Sequence, residues 1–193
     1  MTTFSDTVFE DEKFKQVNAS SLQLVGKEFF GCDFNSCNFS NTDFTSTVFE
    51  DCSFNNCNFS LSKVLNTSFR IVEFTGCKLA GIEFCQVNIF SLDMKFYKCL
   101  IQTCSFYELA LKGSCLKECQ IFESDFIRTN LQKTSFENSD LKQSKFQEAN
   151  LEKANLSGAK NYQINPLINK VAGAKFSLPE AVSLLNAFNI KLD

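Results

Sequence analysis

Cys32-Asp33-Phe34-Asn35-Ser36-Cys37-Asn38-Phe39-Ser40-Asn41-Thr42-Asp43-Phe44-Thr45-Ser46-Thr47-Val48-Phe49-Glu50-Asp51 is one five-residue unit written four times. Each unit holds a small residue, often an Asp or Asn, then a large apolar centre and two mostly polar positions. Going outward, the centres run Phe4, Phe9, Phe14, Leu24 and Phe29 on one side. On the other they run Phe54, Phe59, Val64, Phe69, Phe74, Leu79, Phe84, Ile89 and Met94, with Ala19 alone undersized. A second series, two residues out of step, takes in Ile101, Phe106, Leu111, Leu116, Ile121, Phe126, Leu131, Phe136, Leu141, Phe146, Leu151 and Leu156.

No helix can use this period. Five residues at 100° each leave successive centres about 140° apart around the axis. A straight strand alternates its side chains, so an odd period sends every second Phe into water. A bent path works: the small residue and the centre face inward from a short strand, and the next two residues turn a corner. Repeated corners make a coil, so the expected class is an all-β solenoid. The rule also accounts for a composition of 23 Phe with no Trp and no His in 193 residues.

Segments such as Ala149-Asn150-Leu151-Glu152-Lys153 and Ala154-Asn155-Leu156-Ser157-Gly158 resemble the signature unit of the pentapeptide repeat family. That resemblance implies four units per square coil and a right-handed quadrilateral β-helix; spacing alone does not separate a square from a triangle. It implies about eight coils over residues 1–160, a rod about 40 Å long at the usual inter-strand spacing. Residues 161–193 read as a C-terminal cap. Ser177-Leu178-Pro179-Glu180 has the form of a capping box. Ala181, Leu184, Leu185 and Phe188 then form the apolar stripe of a short α-helix over about 178–188, with Asn189 as its stop. The stretch from Met94 to Ile101 is two residues too long for one unit, and the excess is expected as a bulge within Lys95-Phe96-Tyr97-Lys98.

Several function classes are excluded or disfavoured. Without His there is no Ser-His-Asp or Cys-His catalysis and no His-containing zinc site. Eight of the ten Cys sit at the small inward position, spaced C-x4-C rather than C-x2-C, which reads as buried free thiols and not as a metal knuckle. Stacked thiols, Cys32 over Cys52, Cys37, Cys57 and Cys77 in a column, and Cys99 over Cys119, keep their Cβ atoms too far apart for disulfides. No cofactor and no catalytic residue is expected. A net charge of −3 argues against direct nucleic-acid binding. With no apolar run of membrane-spanning length and no leader sequence, the expectation is a reduced, cytoplasmic protein.

The charges are unevenly placed. Residues 1–60 carry nine acidic against three basic side chains, while residues 61–160 carry eleven against thirteen. The face built on Phe9, Phe29, Phe49, Phe69 and Ile89 gathers Glu10, Asp11, Glu28, Glu50 and Asp51 outward. That is roughly one carboxylate per 2–3 Å of rod, against one charge per ~1.7 Å in duplex DNA. Phe30 and Phe90 are candidate contact aromatics on the same face, and Tyr97 is a third on the expected bulge. The tail, with Asn161-Tyr162-Gln163 and Leu184-Leu185, is similar to the quinolone-resistance (Qnr-type) branch of the family. That resemblance implies a DNA mimic that binds DNA gyrase or topoisomerase IV and forms a homodimer through its C-terminal segment, here Val182, Ile190 and Leu192. The larger projecting loops of that branch are missing, so no gyrase-contact residue carries over. The alternative is a generic protein-interaction scaffold with another partner.

Overall fold

The computed structural model describes residues 4–188 and 190. They form a four-sided β-solenoid of about eight coils whose ladders are all parallel. The coil length is read from the pairing: Phe9 lies beside Phe29, Phe29 beside Phe49 and Phe49 beside Phe69 on the first face. Phe14, Phe34, Phe54 and Phe74 do the same on the second. Four five-residue units therefore close one turn, which settles square against triangle.

Two chemical features make each corner. The residue two after nearly every centre adopts positive φ, from Asp11 at 54° and Gln16 at 53° onward, and is mostly Asn, Asp, Ser, Gly or a long polar residue; Gln86, in the 3-10 turn after Phe84, is an exception. The Asn or Asp before the centre accepts the backbone N–H two positions on. Asn38 takes Ser40 (3.1 Å), Asp43 takes Thr45 (2.9 Å) and Asn58 takes Ser60 (3.1 Å). This Asx bond pre-forms the bend.

Inside, the Phe rings stack along each face and meet edge-on at corners. Phe29 and Phe49 have centroids 5.0 Å apart and planes 11° apart, whereas Phe49 and Phe54 meet at 78°. Both arrangements suit the ring quadrupole. Ala19 is undersized because Phe4 turns into the space beneath Phe39, its ring 5.1 Å from Phe14 and 6.4 Å from Phe39.

The extra residues are not where periodicity places them. Ser68 still pairs with Asn88 at the regular four-unit interval, but Val72 pairs with Met94 and Phe74 with Phe96, each two positions beyond it. The insertion therefore lies within Ile89–Asp93, and Lys95–Tyr97 belong to a regular strand, Met94–Tyr97. The cause is a change of partner. The Asp93 N–H takes the Phe69 carbonyl (3.0 Å), and Asn88 holds the Phe90 N–H (2.9 Å). The chain between them is pushed outward. Ile89, expected as a centre, is 71 % exposed; Met94 is buried at the small position and Phe96 is the centre. Leu92, partly buried, packs against the core in its stead.

The C-terminal helix also departs from expectation. It spans Glu180–Phe188 and is a 3-10 helix, with the Val182 N–H bonded to the Pro179 carbonyl three residues back. Three residues per turn aligns Ala181, Leu184 and Ala187 and turns Phe188 out to 51 % exposure. The Ser177 carbonyl accepts the Ala181 N–H (3.0 Å) at the start of the helix, but its side chain is engaged elsewhere: the Oγ accepts the Gly158 N–H (3.1 Å) and ties the segment to the last coil. Asn189 and Leu192 lie outside the described residues.

Candidate functional site

The five acidic residues do gather on the first face. Glu10, Phe30, Glu50 and Arg70 are successive ladder partners in one outward column. Val8, Glu28, Val48 and Ser68 form the column beside it. Asp11, Gly31, Asp51 and Ile71 take the corner on the other side, all at positive φ. A Cβ at Gly31 would lie 2.4 Å from Asp11 Oδ1, so the Asp11 carboxylate holds its place only because Gly31 has none. Phe30 is partly buried between Glu10 and Glu50 in the coils on either side. The stripe is not uniform. Arg70 Nη1 holds Glu50 Oε2 at 3.0 Å, which closes its upper end.

Above Arg70 the first face changes character. The Ile89–Asp93 bulge presents Ile89 and Phe90, each 71 % exposed, and Ile71 one coil below is 55 % exposed. The Arg70 guanidinium lies over the Phe90 ring at 5.9 Å. Arg70 thus joins the two halves of the surface, pairing with a carboxylate below and an aromatic ring above. Ile89 and Ile71 were not expected here, since spacing assigns Ile89 to the core. Ile71 sits at φ +53°, a conformation a β-branched side chain rarely takes. That mismatch between residue type and corner position is the signal in the sequence that marks it.

Tyr97 is elsewhere. It lies on the second face, paired with Thr75 below and Lys117 above, so it is no part of a loop and does not join Phe90. Burial, reinforced by its neighbour Cys115, pushes its hydroxyl up to about 12, so it stays neutral. At the other end of the rod Val182 (39 % exposed) and Ile190 (52 %) are open, with Leu167, Ile168 and Phe188 also exposed.

Eight cysteines are buried at the small inward position, and only Cys85 and Cys115 are partly exposed. Because the insertion adds two residues, Cys99 falls above Cys77, so two of the three expected stacks are one column: Cys37, Cys57, Cys77, Cys99 and Cys119. Each thiol reaches the carbonyl of a Phe in the coil below, as Cys77 Sγ does to Phe54 at 3.2 Å and Cys99 Sγ to Phe74 at 3.3 Å. Ser139 continues the column with the same bond to Leu116 (2.7 Å). The thiols therefore stand in for hydroxyls in the frame of the rod. No described helix is long and apolar enough to cross a membrane.

Among solved structures, a trypsin-treated variant of QnrB1, a plasmid-mediated fluoroquinolone resistance protein, is similar at a TM-score of 0.61 and 19 % identity. The match covers 99 % of this chain and 92 % of that one. A second trypsin-treated QnrB1 variant gives 0.54 and 22 % identity over 100 % and 93 %. HetL, a pentapeptide repeat protein involved in heterocyst differentiation regulation in Nostoc sp. strain PCC 7120, gives 0.48 and 15 % over 88 % and 87 %. No curated protein matches the sequence. At these identities the structural likeness speaks to the fold alone. The sequence itself matches the pentapeptide repeat region over residues 27–101 and 99–176, most of the chain, and with the four-unit coil this places the protein in the pentapeptide repeat family.

Proposed function

We propose that the protein is a non-enzymatic binding rod that imitates duplex DNA along its first face and engages a type II topoisomerase, DNA gyrase or topoisomerase IV. The observation that carries this reading is the alignment of Glu10 with Glu50 and of Asp11 with Asp51, two coils apart, beside Glu28. Parallel rows of carboxylates on a stiff rod offer a basic groove what phosphate rows offer it. The Ile71, Ile89 and Phe90 knob continues the same face and supplies desolvated contact, which repeated charge alone does not. In this reading two copies join through the C-terminal segment, lengthening the rod.

The test is a gyrase supercoiling assay with and without the protein. Wild type alters supercoiling, and the effect weakens as salt rises because surface charge is screened within about 8–10 Å. A variant with Glu10 and Glu50 changed to Gln and Asp11 and Asp51 changed to Asn stays folded and loses the effect. No effect of the wild type at micromolar concentration rejects the reading in favour of a scaffold for another partner.

A further inference from the structure

The first face continues above its bulge, and there its charge reverses. Ala110, Asn130, Asn150 and Lys170 are successive ladder partners in the upper coils. Lys112, Lys133, Lys153 and Lys170 stand exposed on these coils, and among the described residues none has an ion-pair partner. Below the bulge Glu10, Asp11, Glu28 and Asp51 are equally unpaired, and Glu50 alone is held, by Arg70. Exceptions to this division are Arg70 and the half-buried Lys27 below, and Glu152 above, which accepts a bond from Gln132 Nε2 (3.1 Å).

Read backwards, the order of charges is its own complement. At the corner of this face the four lower coils carry Asp11, Gly31, Asp51 and Ile71. The next four carry Ser91, Gly113, Lys133 and Lys153, all eight at positive φ. With one copy inverted end for end, the first coil meets the eighth and Asp11 falls opposite Lys153. Lys133 then falls opposite Gly31, with Asp11 and Asp51 on either side. In the neighbouring column Glu50 of the third coil meets Lys112 of the sixth, and Arg70 of the fourth meets Phe90 of the fifth. Glu10 against Glu152 is the only like-charge match in these two columns, and Lys153 is the next residue to that Glu152.

We propose that two copies of the chain pair antiparallel, first face to first face, with the acidic half of each against the basic half of the other. The two-fold axis passes between Arg70 and Phe90, so the exposed Ile71 and Phe90 of both copies gather around it and leave water together. A second copy is the occupant because the chain itself carries the full complement: carboxylates and lysines in mirrored order, and the apolar knob midway between them. The contact is a weak one. Exposed ion pairs contribute little each. Seven steps of ~4.8 Å by four residues of ~3.3 Å give a strip that buries on the order of 900 Å² in all, the size of transient encounters. The pairing therefore belongs to low ionic strength and is separate from any contact through the C-terminal segment. It does not rest on the topoisomerase reading, although a pair formed this way covers the acidic rows which that reading uses.

The test is zero-length carbodiimide cross-linking of mixed light and isotopically heavy full chains, read by mass spectrometry. It is run at ~0.01 M ionic strength, where charges act over ~30 Å. Asp11 and Lys153 of one chain stand seven coil steps apart, about 34 Å. End-to-end contact through the C-terminal segment does not bring Asp11 to Lys153 of the other copy either. A mixed-isotope Asp11–Lys153 link thus reports the antiparallel pair; it forms together with a Glu50–Lys112 link, and both fade at ~1 M salt. Sedimentation follows the same event without chemistry. The mean mass at ~0.01 M salt rises towards twice its value at ~0.15 M. Asp11→Lys with Glu50→Lys abolishes the rise, and adding Lys112→Glu and Lys153→Glu restores it, with circular dichroism melts showing that each variant is folded. Absence of the mixed Asp11–Lys153 link from the unaltered chain overturns the proposal whatever the variants do. A link indifferent to salt, a rise that survives the double reversal, or a folded fourfold variant that does not regain it overturns the proposal as well.

Discussion

The ring of Phe96 lies flat on that of Phe74, centroids 5.1 Å apart and planes 8° apart, although the coil between them is two residues longer than every coil below it. The stack is kept by expelling Ile89 and Phe90. Phe96→Ala should cost about 3–5 kcal/mol, as should Phe54→Ala, because rigid neighbouring coils cannot collapse onto the void. Ile89→Ser, Phe90→Ser and Asn55→Ser should each cost under ~0.5 kcal/mol, being surface changes. Urea titration of the variants checks this. An Ile89→Ser loss comparable with that of Phe96→Ala would return Ile89 to the core and the extra residues to Lys95–Lys98.

The same region shows what sequence can and cannot resolve. A centre every fifth residue is legible because burial of Phe is imposed unit by unit, and the coil arithmetic then places Glu10, Asp11, Glu50 and Asp51 on one face. Between Asn88 and Tyr97, however, Ile89, Phe90, Leu92, Met94 and Phe96 are all large and apolar. Which of them go inward is decided by a backbone bond, Asp93 to the Phe69 carbonyl, that leaves no trace in composition. At the C-terminus the stripe Ala181, Leu184, Leu185, Phe188 fits an α-helix, and the tighter 3-10 turn becomes apparent only in the Val182–Pro179 bond.

Ile71 stands at a corner that wants Gly, Asn or Asp. Its φ of +53° crowds a β-branched side chain against its own backbone, while 55 % exposure limits what packing returns. Ile71→Asn should therefore stabilise the rod by about 1 kcal/mol. If the knob is a contact surface, the same change should weaken binding while raising the melting temperature. A destabilised Ile71→Asn protein would mean that its apolar contacts outweigh the strain.

Ten thiols and no disulfide make a measurable pattern. Burial pushes Cys52 and Cys104 up to about 12, so at neutral pH neither supplies appreciable thiolate. In the native protein only the two partly exposed residues, Cys85 and Cys115, should react promptly with a thiol reagent, and all ten should react in denaturant. Reductant should leave the melting temperature unchanged. Fewer than ten titratable thiols in non-reducing denaturant would show that neighbouring coils are cross-linked after all.

The C-terminal segment covers the end of the rod incompletely. None of the residues in Glu180–Phe188 is fully buried. Val182, Phe188 and Ile190 remain open, close in sequence to Leu178 at 80 % exposure. An apolar surface of this kind is stabilised against its own copy, and two-fold pairing is the commonest closed arrangement. Light scattering on the intact chain should give about 44 kDa, twice the 21.8 kDa of one chain. A variant with Val182, Phe188 and Ile190 changed to Ser should give about 22 kDa and keep the melting transition of the rod, whose Phe stacks lie coils away. An intact chain that scatters as a monomer at high micromolar concentration would mean the helix closes the rod by itself, and would remove the dimer from the proposed function without touching the acidic face.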